Sequence, residues 1–175
     1  MLVVFILVES LDWNYWCSNL TGDLARIRSI ADYQFGKGTG VKLFPKNVQI
    51  TYSVNTGRIR HVYLEGKRLA TMRPTDGLFS LSIEGAKQIV KKVRPVKCLV
   101  KVRSDVAKFI AEGGDVFAVH VVECGGEIRA REEVIVVDEG GEVLAVGRAV
   151  LSSDEMRAFK RGVAVKVRRG TTEEG

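Results

Sequence analysis

The chain has 175 residues, 46% of them apolar and only three of them proline, with no biased run. That make-up fits one globular domain or two small ones and excludes a long disordered chain. The net charge of +6 comes from residues 1–96, which carry 14 Lys and Arg against 7 Asp and Glu, while residues 97–175 carry 13 against 14; an anion site in the second half must therefore rest on segregated charge rather than bulk charge.

The opening MLVVFILVE has an apolar run too short to span a bilayer and without the basic lead of a signal peptide. It predicts a short buried strand in a cytoplasmic protein with no membrane partner. Trp13, Tyr15 and Trp16 follow as an aromatic segment. Thr21 is placed to cap a helix whose Leu24, Ile27 and Ala31 recur at helical spacing and which Gly36 ends. The glycines at 36, 38 and 40 suggest a phosphate loop, but the Gly-Lys-Ser/Thr ending and the preceding apolar strand are missing, so the run reads as a turn.

Val48, Ile50, Tyr52 and Val54 alternate with polar residues as in a half-buried strand, and Asn55-Thr56-Gly57 turns the chain. Arg58 and Arg60 then flank Ile59, which predicts two guanidiniums on one strand face; with Arg73 they make a secondary basic patch. Ser82 caps a helix with Ile83, Ala86, Ile89 and Val93 on one stripe, closed by Pro95. The charged run from Lys91 to Lys97 divides the chain into an N-terminal segment 1–21, a first domain 22–96, a second 97–170 and a tail 171–175.

In the second domain a strand near Cys98–Arg103 precedes a short helix, with Ser104 as its cap and Val106, Phe109 and Ile110 facing inward. Strands recur at 116–121, 133–137 and 143–150, and Ser152 with Glu155 matches a capping box. Short strands with close turns predict a small barrel. The last strand, GVAVKVRR, sets Val163, Val165 and Val167 against Ala164, Lys166 and Arg168, so one face joins a core while the other offers cations. With Arg161 before it and Arg169 after it, this strand points to a polyanion. Cys17, Cys98 and Cys124 are scattered and odd in number, and His61 and His120 are isolated, so no metal, cofactor or disulfide framework is expected.

The run VKVRSDVAKFIAEGGDVFAVHVV, followed by EEVIVVDEGGEVLAVGRAVLSSDEM and KRGVAVKVRRG, resembles a PUA domain of the archaeal type over residues 97–170. Upstream, ADYQFGKGTG, TGRIRHV and LATMRPTDGLFSLSIEGA are similar to the domain that precedes the PUA in archaeosine tRNA-guanine transglycosylases. The resemblance implies an α+β chain, an N-terminal α/β domain followed by a small PUA-type β-barrel with short helices. It also implies RNA binding along the groove beside the first helix and the last strand of the barrel. Carried over, that groove takes in Gly113, Gly114, Asp115, Val116, Phe117 and Ala118, where glycines let backbone approach RNA closely, with Arg161, Lys166, Arg168 and Arg169 against phosphates. The large barrel with the aspartate nucleophile of such enzymes does not fit within 175 residues.

The expectation is therefore a non-catalytic RNA-binding protein that takes structured RNA, tRNA foremost, and works with an RNA-modifying enzyme. Two other readings stand beside it: a detached RNA-binding subunit of a tRNA-guanine transglycosylase complex, and a protein-interaction adaptor that docks through Trp13, Tyr15 and Trp16.

Overall fold

The computed structural model describes residues 13–174. The strand expected within residues 1–9, and the side chains of Trp13, Tyr15 and Trp16 on which the adaptor reading rests, lie outside what it describes. Helix α1 (Trp13–Phe35) starts eight residues before the predicted cap at Thr21. Gly22 did not break it because an exposed mid-helix glycine costs only about 1 kcal/mol. Ile27, Ala31 and Phe35, four residues apart, put one stripe of α1 fully into the core. The turn at Gly36 leads into a short helix that the sequence reading missed, α2 (Thr39–Leu43), which Asp32 on α1 ties down by accepting the Gly40 N–H at 2.6 Å.

Strands β1 (Gln49–Tyr52), β2 (Ile59–Leu64), β3 (Lys67–Met72) and β4 (Phe79–Leu81) form an antiparallel sheet in chain order. Ile50, Val62, Ala70 and Leu81 lie opposite one another and make a row on its inner face. Helix α3 (Ile83–Lys92) buries Ile83, Ala86 and Ile89 in the same core, and Ser82 caps it as expected, accepting the Gly85 N–H at 3.1 Å.

The second sheet has the order β6–β10–β9–β8–β5–β7, built from β5 (Leu99–Val102), β6 (Val116–Phe117), β7 (Val121–Cys124), β8 (Glu133–Val137), β9 (Val143–Ala149) and β10 (Val163–Gly170). Its two edge strands, β6 and β7, are joined by the three residues Ala118–His120, which form a single 3₁₀ turn. Three residues reach at most about 10 Å. The sheet must therefore be rolled until its edges nearly meet, the barrel-like form that short strands and close turns predicted. The turn also corrects the continuous strand expected over 116–121, because the chain changes sheet edge there.

Helices α4 (Ala107–Ala111) and α5 (Ser153–Ala158) plug the barrel with Ile110 and Met156. The capping box of α5 forms: Ser152 Oγ accepts the Glu155 N–H, and the Glu155 carboxylate accepts the Ser152 N–H at 2.8 Å. Two expectations around α4 fail. Ser104 is not a cap, since its hydroxyl donates to Glu139 Oε2 at 2.7 Å and a 3₁₀ turn precedes α4. Phe109 does not face inward but is 56% exposed, because a five-residue helix has one core slot and Ile110 fills it.

Strand β8 joins the two halves. Its Val134 and Val136 face the barrel core, whereas Ile135 and Val137 pack with α1, α3 and the four-stranded sheet. Buried on both faces, it reads as a continuous apolar run after its single carboxylate, Glu133. The free edge of β4 is closed by side chains: Gln34 of α1 both donates to Phe79 O (2.7 Å) and accepts the Phe79 N–H (2.8 Å), and Glu133 accepts the Leu81 N–H at 2.8 Å.

Cys98 and Cys124 are free and buried, and burial pushes the Cys98 thiol up to about 12. A thiol held neutral and shielded is a poor nucleophile. Iodoacetamide at pH 8 is therefore expected to leave both unmodified in the folded protein and to alkylate both in urea, read by peptide mass mapping. Alkylation of Cys98 at equal rates in the two states would contradict the packing.

Candidate nucleic-acid interface

Strand β10 lies between β6 and β9 and carries the cations that the sequence singled out. Lys166 is exposed, and its register partner on β9 is Arg148, also exposed. The register slips between Val167 and Arg169, which makes Arg168 the extra residue of a bulge. A bulge re-aims a side chain. Here Arg168 swings towards the N-terminal domain, donating through Nη2 to Leu81 O of β4 at 2.8 Å and to the Glu133 carboxylate of β8.

Arg73 meets the same carboxylate from the other side, with Nη1 3.9 Å from Glu133 Oε2, while its Nε donates to Asp76 Oδ1 at 3.0 Å. The Arg73 side chain is only 11% exposed, and Nη1 is buried without a hydrogen bond. Two arginines expected at an RNA face are thus committed to the domain interface. The reason is a buried charge: Glu133, 2% exposed, must be answered, and Arg168 and Arg73 are the groups in reach. Burial pushes its carboxyl above the usual carboxylate range, against the pull of Arg168, the Leu81 N–H and Arg73.

The glycine loop lies beside β10. Gly113 leaves α4 at φ +94°, and Asp115 Oδ1 accepts the Val167 N–H at 2.8 Å, fastening loop to strand. Val116 and Ala118 point into the barrel core, so they offer a ligand only their backbone, whereas Phe117 is 43% exposed. Phe117 stands opposite Val163, and the Ala118 N–H donates to Gly162 O at 2.9 Å. Loop, Arg161 and the start of β10 are therefore brought together as expected.

Next to them opens a groove of about 490 Å³ lined by Ala118, Val119, Val122, Met156, Phe159 and Lys160, among others. Phe159 is 48% exposed at the end of α5 and is followed by Lys160 and Arg161, also exposed. An apolar ring with two cations beyond it suits a base and the phosphates flanking it. The sequence reading missed Phe159; its signal was a bulky apolar residue between a capped helix and a basic turn.

Arg58 and Arg60 belong to the other sheet. Arg58 sits in the turn before β2 and Arg60 at a bulge in it, both exposed, so neither is brought to the groove. Beside them His61 stacks edge-on to Tyr63 at 6.0 Å, and its basicity is lowered by burial and by Arg60 and Arg68. Among the described residues no cluster of His, Cys, Asp and Glu is arranged to hold a metal ion, and no helix is long and apolar enough to cross a membrane.

Rolled sheet, glycine loop and closing basic strand together are those of a PUA domain, and residues 99–171 match the PUA family model. Residues 25–95 match the patch-forming domain C2 of tRNA-guanine transglycosylase, so the chain carries a C2-type domain followed by a PUA domain. It is 43% identical over 148 residues to the tRNA-guanine(15) transglycosylase of Methanothermobacter thermautotrophicus, a match covering 85% of this chain and 23% of that protein. Against the same-named protein of Methanobrevibacter smithii it is 45% identical over 149 residues, 85% of this chain and 22% of that one. The chain thus spans under a quarter of the length of these relatives. In fold it is similar to a hypothetical protein of Pyrococcus horikoshii, with a TM-score of 0.70 at 24% identity over 85% of this chain and 90% of the other. A conserved PUA domain protein of Thermoplasma acidophilum gives 0.58 at 19% identity over 89% of each chain.

Proposed function

We propose that this protein is a non-catalytic RNA-binding protein of the cytoplasm that holds structured RNA, tRNA foremost and by its acceptor region, in support of RNA modification. The observation that carries this reading is the extent of the match: identity above 40% with enzymes named for tRNA runs through the C2 and PUA domains together. The groove chemistry agrees with it. Gly114 gives room to the chain's own Phe109 ring rather than to a ligand; Phe117 and Phe159 offer ring faces, and Lys160, Arg161 and Lys166 supply charge.

A second reading makes the protein the detached RNA-holding subunit of a transglycosylase complex. It is favoured by the match of both domains to proteins named as tRNA-guanine(15) transglycosylases. Co-purification with a barrel-only partner, and a faster reaction of that partner on adding this chain, would support it.

Titration of an unmodified tRNA transcript tests the first reading. Contacts to several phosphates make the logarithm of the affinity fall linearly with the logarithm of salt. Submicromolar binding at 50 mM salt that weakens at least tenfold by 200 mM is expected; micromolar or weaker binding that ignores salt would sink the reading.

A further inference from the structure

The register of the barrel sheet sets Glu133, Arg148 and Lys166 in one row across β8, β9 and β10. Residues directly opposite in antiparallel strands share a face and sit about 5 Å apart at Cβ. A row of one carboxylate and two cations looks nearly balanced, but the carboxylate is already occupied. Glu133 accepts the Leu81 N–H and Arg168 and stands 3.9 Å from Arg73. Asp76 feels the charge of Arg148, but it is held by both Nε and Nη2 of Arg73. Among the described residues neither Arg148 nor Lys166 has an ion-pair partner within 4 Å.

Like charges directly opposite one another on a sheet repel and destabilise it. Here they remain exposed beside the crease between the two domains, where nearby acids are taken up by Arg73 and Arg168. We infer that Arg148 and Lys166 form a two-cation clamp for consecutive phosphates of the RNA backbone, extending the groove from the glycine loop across the outer face of the barrel. This rests on the RNA-binding reading and adds to it a residue, Arg148, that the sequence gave no reason to choose. It also replaces Arg168, which faces Glu133, as the natural companion of Lys166.

The test is the salt slope of tRNA-transcript binding in the full chain, for wild type, Arg148→Gln, Lys166→Gln and the double variant. Each lost phosphate contact flattens the slope by about 0.7–0.9. The double variant is expected to lose about 1.4–1.8 from the slope and at least tenfold in affinity at 100 mM salt, and Arg148→Lys to keep the wild-type slope. Because the repulsion is relieved, the melting temperature of the double variant should stay level or rise, whereas a structural role would lower it. A salt-sensitive wild type with an unchanged slope in the double variant overturns the clamp and leaves the RNA reading standing. No salt-sensitive binding by the wild type removes both. Tighter binding of poly-L-glutamate than of tRNA at equal ionic strength would assign the pair to an acidic protein instead and so also overturn it.

Discussion

Glu133→Ala is expected to cost about 3–5 kcal/mol of stability, the penalty of breaking a buried ion pair from one side. The carboxylate is 2% exposed and is the meeting point of both domains: the Leu81 N–H of edge strand β4, Arg168 from the bulge of β10, and Arg73. Alanine leaves the Leu81 N–H without its acceptor and two guanidiniums facing each other across the gap, one of them only 11% exposed. Glu133→Gln keeps an acceptor for the N–H and loses only the charge, so its cost should be clearly smaller. Chemical denaturation of the three proteins measures this, and an alanine variant within 1 kcal/mol of wild type would show that the interface does not depend on the carboxylate.

The same group has a pH signature. Its pKa is raised by folding, so the folded chain keeps a proton that the unfolded chain has lost. Stability from this group therefore falls as pH rises from the ordinary carboxylate value through the raised one, and Glu133→Gln should remove that slope while leaving the others.

The barrel was legible because its signals are local. EVIVV announced a strand, Ser152 and Glu155 a capped helix, and GVAVKVRR an amphipathic strand. The site was half legible for the same reason. Alternation gives the face of Lys166 correctly but cannot announce a bulge, and one extra residue sends Arg168 to the other domain. Arg73 and Arg148 could not be sorted from sequence either. Which arginine is consumed and which is left for a ligand depends on where the buried Glu133 lies, a contact made across 60 residues of chain to Arg73 and 35 to Arg168. Phe109 was misplaced by helical periodicity, which carries little information in a helix of five residues.

Gly170→Ala is expected to destabilise the barrel by about 1–3 kcal/mol and to weaken RNA binding in the fraction that remains folded. Gly170 ends β10 where that strand passes α4, and a methyl group there would lie 2.1 Å from Ala111 O and 2.8 Å from the Gly113 nitrogen. Both are backbone atoms, so no rotamer change relieves the clash; either β10 or the start of the glycine loop must move. That displacement pulls on the Asp115–Val167 hydrogen bond, which fastens the loop to the strand that carries Lys166. Gly126→Ala is the matched control, since its nearest neighbour would be the end of Arg157 at 3.9 Å. Thermal melts should separate the two by several degrees, and tRNA titration at 20 °C should show a loss only for Gly170→Ala. Equal melting temperatures would mean that the loop is not braced against β10, and the groove would then have to be rebuilt around Phe159 alone.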